Sequence, residues 1–162
     1  MALGPDFCRD MARAEEPEVD ALLRAAFEGD AEVRLVHALR KAGQMVGEMV
    51  LPWDGGVIGY AGLVQMTAPQ GWIALAPVAV DARHRNRGYG KRMVGLISEW
   101  ARITRTPIVV VGQRNFYERA GFSHAQAQAL STPYGAENTL IAGVDGAPME
   151  ELIYPKAFRD LG

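Results

Sequence analysis

Residues 72–112 carry an order of segments that few folds accept. Trp72–Val80 is almost wholly apolar, the mark of a strand covered on both faces. The polar stretch Asp81-Ala82-Arg83-His84-Arg85-Asn86-Arg87 follows, and from Gly88 to Thr104 Met93, Leu96, Ile97, Trp100 and Ile103 recur at helical intervals. Pro107 leads into Ile108-Val109-Val110-Val111, a short buried strand closed by Gly112. Strand, helix and strand in this order require a right-handed crossover between parallel strands. Pro77 cannot donate to a ladder, so a bulge or an edge is predicted within the first of them.

The rest of the chain adds elements to that unit. A short strand is predicted around Phe7–Ala12. Glu16-Pro17 starts a helix, with proline in a first turn where its missing N–H costs nothing. Val19, Leu22, Leu23, Ala26 and Phe27 keep helical spacing until Gly29-Asp30 breaks it. Asp30 is placed to cap a second helix running to Ala42 and stopped by Gly43. Met45–Leu51 and Val57–Met66 read as strands around Asp54-Gly55-Gly56, a hairpin signal. A short helix over Asn115–Ala120 ends at Gly121. Beyond Phe122 one strand is expected near His124–Leu130 and another near Glu150–Tyr154. The sum is an α/β chain of the mixed α+β kind, and residues 1–162 fit one domain.

Composition removes several classes of function. Apolar residues make up 49% and charged residues 22%, an ordinary globular balance. No apolar run reaches the ~18 residues of a membrane span, and Met1–Asp6 lacks the features of a signal peptide. Cys8 is the one cysteine, so there is no internal disulfide and a reducing, cytoplasmic location is expected. His37, His84 and His124 have no metal-ligand spacing, so no metal is expected. Ser98 lacks a nucleophile-elbow sequence, Cys8 reads as a core residue, and Trp53, Trp72 and Trp100 read as core or sheet-face residues. A net charge of −2 disfavours a nucleic-acid partner. Yet residues 83–105 hold Arg83, Arg85, Arg87, Lys91, Arg92, Arg102 and Arg105 against Glu99 alone. Such a cluster suits a compact anionic ligand, although a solvated helix face has the same composition.

The junction between strand and long helix is where that anion would sit. Helix starts present unsatisfied N–H groups and the positive end of the dipole, and Gly88 and Gly90 carry no Cβ. A nucleotide-triphosphate loop would need glycine at Arg85 and Ser or Thr at Arg92. A dinucleotide fingerprint would need glycine at Met93. What fits is Arg/Gln-x-x-Gly-x-Gly/Ala, filled by Arg85, Gly88 and Gly90.

With a second motif after the next strand, Asn115-Phe116-Tyr117-Glu118-Arg119-Ala120-Gly121-Phe122, the chain resembles the GNAT acetyltransferase superfamily. Ala21–Phe27 and Tyr154-Pro155-Lys156-Ala157-Phe158 look like its YhbS-like branch. The resemblance implies a mostly antiparallel sheet with a central, splayed parallel pair and flanking helices. It implies acetyl-CoA as co-substrate, with the backbone amides of Arg85, Asn86, Arg87, Gly88, Tyr89 and Gly90 on the diphosphate and Lys91 close by. Val78, Ala79 and Val80 would pair with the pantetheine arm, Asn115 would hydrogen-bond it, and Arg119 would meet the nucleotide end. Tyr117 takes the place beside the sulfur, as the catalytic residue.

One departure stands out: Trp72–Val80 holds no acid to act as general base, and neither does Ile108–Gly112. The amine's proton would leave through water, through a carboxylate elsewhere such as Glu28, Glu48 or Glu137, or not at all if the acceptor is already neutral. The expected reaction is direct attack by a small-molecule or peptide amine in a ternary complex. The alternative is a non-catalytic acyl-CoA-binding sensor or partner module. The acceptor would contact roughly Glu16–Ala42 and Ser131–Met149, and a homodimer is left open.

Overall fold

The computed structural model describes residues 8–161. Its centre is one six-stranded sheet whose spatial order equals its chain order: β1 (Arg9–Asp10), β2 (Met45–Trp53), β3 (Gly56–Gln65), β4 (Ile73–Val80), β5 (Ile108–Val111) and β6 (Thr139–Ala142). Neighbours are antiparallel except β4 and β5, the crossover pair. The β2–β3 hairpin turns on Asp54 and Gly55, both at positive φ (47° and 81°), with Trp53 opposite Gly56. Two positive φ values suit the twist of a tight hairpin, which is why Asp-Gly marks one.

Helices α1 (Glu16–Phe27) and α2 (Ala31–Lys41) cover one face of the sheet, and α3 (Tyr89–Thr104) and α4 (Arg114–Arg119) the other. Strand alternation sorts the side chains between them. Val50, Tyr60 and Ala79 pack with Val19, Leu23 and Val36 of α1 and α2. Leu51, Ile58, Ala61 and Leu75 pack with Met93, Val94 and Ile97 of α3. Cys8 lies buried on that second side, with its thiol pushed up by burial, as suits a core residue.

Several sequence expectations need correction. The first strand is only Arg9–Asp10, and Phe7 lies outside the described residues. Asp30 sits at the N-cap of α2, but its carboxylate makes no cap bond and instead accepts from Arg24 Nε at 2.7 Å. His124–Leu130 is no strand: after a single bridge at Ser123, residues Ala125–Ala127 form a 3-10 turn. Glu150–Tyr154 contributes only isolated bridges, Glu151 to Ser131 and Ile153 to Ala68. The strand beside β5 is Thr139–Ala142, inside the Ser131–Met149 segment, for which the sequence predicts no strand. Trp100 is 45% exposed, not core.

Two irregularities interrupt the ladder of the sheet. Ala61 pairs with Val78 and Leu63 with Leu75, so Ala76 and Pro77 together oppose Gly62. That is a bulge, at the residue that predicts it. Strands β4 and β5 then share only two pairs, Ile73 with Ile108 and Ala74 with Val109, before they part.

Candidate active site

The splay opens directly beyond the bulge. Past it β4 ends at Val80, and Asp81 turns the chain: its carboxylate accepts from Arg83 N at 2.9 Å and so caps the 3-10 turn Ala82–His84. Arg83 also holds the Asp81 carboxyl below its usual range, leaving that acid occupied. Arg85 Nε donates to the Val80 carbonyl at 3.2 Å, tying the loop to the strand end. Asn86 and Gly88 both stand at positive φ (65° and 80°), which rotates the backbone into the first turn of α3.

The two glycines prove to have different reasons. At Gly88 a side chain would meet nothing within 4 Å, and the constraint is its φ of +80°. At Gly90 a Cβ would come 3.1 Å from Val80 Cγ2 and 3.6 Å from Phe116 Cζ, so a side chain there would need the Val80 methyl to give way by a few tenths of an ångström. Gly90 thus fits helix to strand end as well as leaving the helix start open.

A cavity of about 460 Å³ lies at this helix start. The loop lines it with Arg85, Asn86 and Gly88, and α3 with Tyr89, Gly90 and Lys91. Val80 forms one wall, and Arg119 reaches it from α4. Of the residues predicted to hold the donor, these converge there. Arg87 and Asn115 are exposed and do not line it, and Val78 and Ala79 lie earlier on β4. The 16 residues of α3 span ~24 Å at 1.5 Å per residue, so Arg102, paired to Glu99, and Arg105 stand at the far end. The basic cluster read from sequence is therefore two groups, and of the group near the loop Arg85 and Lys91 line the cavity.

Sequence reasoning missed two of the cavity's residues, His84 and Phe116. His84 belongs to a three-ring cluster with Trp53, 5.3 Å between centroids, and Tyr89, 6.4 Å. Its Nδ1 is buried without a hydrogen-bond partner, 3.8 Å from Asp81 Oδ1. No motif marks Trp53, which comes from the distant end of β2. Phe116 stood inside the second motif but carried no assigned role.

Tyr117 is buried between α4 and β5, outside the lining of this cavity. Its ring packs edge-on against Phe116 and Phe122, with centroids 4.9 and 6.0 Å away. A Cβ on Gly112 would lie 2.6 Å from its Cε2, so the strand's closing glycine makes room for the ring. Burial alone pushes the phenol up to about 12, so at neutral pH the hydroxyl keeps its proton. The alternative acids are placed differently. Glu48 accepts from the Tyr60 hydroxyl at 2.6 Å and from Arg40 Nη2 and Nε at 2.8 and 3.0 Å. Glu28 caps the end of α1. Glu137 is exposed in the turn before β6, where Gly112 N bonds the Asn138 carbonyl beside the open end of β5.

A sheet split at one parallel pair, a bulge at the split and a cation-lined helix start beside it define the N-acyltransferase class of fold. Comparison with known proteins specifies it further. The family model for the acetyltransferase (GNAT) family matches residues 8–122, and the chain belongs to that family. It is 37% identical over 120 residues to the N-acetyltransferase YhbS of Escherichia coli strain K12, across 68% of this chain and 70% of that one. The crystal structure of E. coli YhbS in complex with CoA superposes with a TM-score of 0.86 at 27% identity, covering 100% of this chain and 96% of the other. A GNAT acetyltransferase of Brucella melitensis, solved with acetyl-CoA, gives 0.77 at 23% identity, covering 94% and 97%, and supports the fold alone. The chain is an N-acetyltransferase of the GNAT type.

Proposed function

We propose that the protein transfers the acetyl group of acetyl-CoA to an amine of a small molecule or peptide, by direct attack with both substrates bound. The observation that carries this reading is the cavity at the start of α3, where loop, helix and Arg119 converge beside an open strand pair. The E. coli structure holds CoA and the Brucella structure acetyl-CoA, and the residues here fit such a ligand. Helix N–H groups, Arg85, Lys91 and Arg119 suit a diphosphate, and β4 beyond the bulge has no β5 partner, which leaves backbone for a pantetheine amide to pair with. When bound, acetyl-CoA would supply an activated thioester.

The chain's own contribution is positioning and one proton. Val78, Ala79 and Val80 orient the acyl carbonyl, and Tyr117 holds its phenolic proton for the departing sulfur. A thiol leaves readily, having a pKa about 8.5, so the gain from Tyr117 is modest, about 10²-fold. Cys8 is buried, and no other cysteine exists to form an acyl-enzyme, which supports direct transfer. We read residues 1–162 as one acetyltransferase domain acting in the cytoplasm. Among the described residues no helix is long and apolar enough to cross a membrane, and no group of acids, histidines and cysteines could hold a metal.

Titration with acetyl-CoA tests the reading. Binding is expected, and no binding at near-millimolar concentration would sink it. Gly90→Trp, which fills the gap between Val80 and Phe116, is expected to abolish that binding. A thiol-release screen over amines, antibiotics, polyamines and peptide N-termini then separates enzyme from sensor: turnover with any acceptor excludes a purely sensory role.

A further inference from the structure

On the face of the sheet opposite the long helix, a polar network sits beside the bulge that starts the splay. Its centre is the Glu48 carboxylate, which accepts a hydrogen bond from the Tyr60 hydroxyl at 2.6 Å and from Arg40 Nη2 and Nε at 2.8 and 3.0 Å. Arg40 also lies 3.5 Å from Glu16, the first residue of α1. Tyr60 has no exposed surface, and the side chains of Arg40 and Glu48 are only 16% and 14% exposed. Four elements, α1, α2, β2 and β3, therefore meet in one set of charge-assisted contacts.

The register shows what this network adjoins. Glu48 pairs with Gly62, and Gly62 faces the Ala76–Pro77 bulge. A Cβ at Gly62 would be 2.5 Å from the Ala76 carbonyl oxygen and 3.3 Å from the Tyr60 hydroxyl. The missing side chain is thus what lets the bulge carbonyl and the phenol crowd the same point. Tyr60 is itself the ladder partner of Ala79, and Ala61 that of Val78. These are the β4 residues assigned to the acyl arm. Any shift of β3 at Tyr60 is passed by two adjacent rungs to that backbone.

We propose that Arg40, Glu48 and Tyr60 are positioning residues for acetyl transfer, which fix the Ala76–Pro77 bulge and thereby the aim of the Val78–Ala79 backbone at the acyl carbonyl. They are placed away from the reactants: Tyr60 is fully enclosed, and the Glu48 carboxylate is bound to Tyr60 and Arg40. A purely structural network would serve folding and leave the bound thioester unchanged; this one alters its environment while sparing affinity. The proposal rests on acetyl-CoA being the donor.

Its test uses acetyl-CoA carrying ¹³C at the carbonyl, with the carbonyl resonance read in the bound state beside CoA affinity and turnover. Glu48→Gln and Tyr60→Phe are expected to bind CoA within about 3-fold of the wild type. Their bound carbonyl resonance should move toward the free value, and kcat should fall by about 10-fold. Wild-type resonance and kcat in both folded variants would overturn the proposal. Should either variant fail to fold, Arg40→Lys at the partly exposed rim carries the same readouts and the same two outcomes. A wild-type protein that binds no acetyl-CoA would instead refute the donor assignment, which separates the two failures.

Discussion

At the scale of single residues, Tyr117 and the loop glycines show how a side chain's surroundings decide its use. Tyr117 is held by Gly112, Phe116 and Phe122, and burial keeps its phenol protonated well past neutrality. Tyr117→Phe preserves every one of those ring contacts and removes only the hydroxyl. Turnover should drop about 10²-fold with CoA affinity unchanged; kcat equal to wild type, measured by thiol release, would remove Tyr117 from the chemistry. The loop glycines were legible as a pair from spacing, but their separate reasons were not. Gly88 is favoured by its φ, and Gly90 sits close against the side chains of Val80 and Phe116. The second reason depends on two residues brought in from other elements, and no local pattern encodes that. His84 escaped notice for the same cause, since its ring partner Trp53 comes from the far end of β2.

At the scale of elements, the α3–α4 contact is where sequence and packing agree most closely. Gly121 ends α4 at φ +101°, and a Cβ there would sit 2.5 Å from Ser98 Oγ of α3. That same oxygen donates to the Ala120 carbonyl at 2.5 Å, which joins the two helices. Gly121→Ala should therefore lower stability by about 1–3 kcal/mol through strain and collision together. Making the change in a Ser98→Ala background should relieve the collision with the hydroxyl and leave the strain and a 3.3 Å approach to the residue 98 Cβ. Equal losses in both backgrounds, by urea unfolding, would show that Ser98 plays no part. The elements read best from sequence were those with strong punctuation: Glu16-Pro17 and Gly29 around α1, Gly43 after α2, Asp54-Gly55 in the hairpin. The C-terminal part is punctuated too, by Pro133, Gly135, Gly143 and Gly146, but the segments between those residues carry weak or misleading periodicity. The Ala-Gln alternation after His124 imitates the period of a strand, yet alanine offers little to a pleated surface, and the segment coils into a 3-10 turn instead. Strand β6 is four residues long and buried throughout, so it has no alternation to detect.

At the scale of the whole molecule, Tyr60 and Tyr117 are buried in the core and Tyr154 is partly buried against it, and their titration should limit the alkaline range. Burial raises the pKa of Tyr60, Tyr117 and Tyr154 above that of a free tyrosine, with the Glu48 carboxylate adding to the rise at Tyr60 and Tyr134 at Tyr154. Below about pH 10 all three are protonated folded or unfolded, so their contribution is fully present. Above it the unfolded chain loses protons that the folded one keeps, and stability falls by up to about 1.4 kcal/mol per pH unit for each group. For Tyr117 that loss continues to about pH 12. Thermal unfolding followed by circular dichroism from pH 8 to 11 should show a decline that begins with the buried Cys8 thiol, whose pKa burial also raises, and steepens near pH 10; a stability that stays level to pH 11 would contradict it.

The two shared pairs of β4 and β5 have a mechanical meaning as well. With only Ile73–Ile108 and Ala74–Val109 joined, the sheet is two plates hinged at one end: β1 to β4 form one, β5 and β6 the other. Hydrogen bonds hold the plates at the hinge, and side chains of α3 and α4 span them from behind. A ligand whose amide groups ran up the gap would replace the absent rungs and join the plates along their length. Part of the sheet's rigidity would then come and go with each turnover, stiff while the donor is held and compliant after its product leaves.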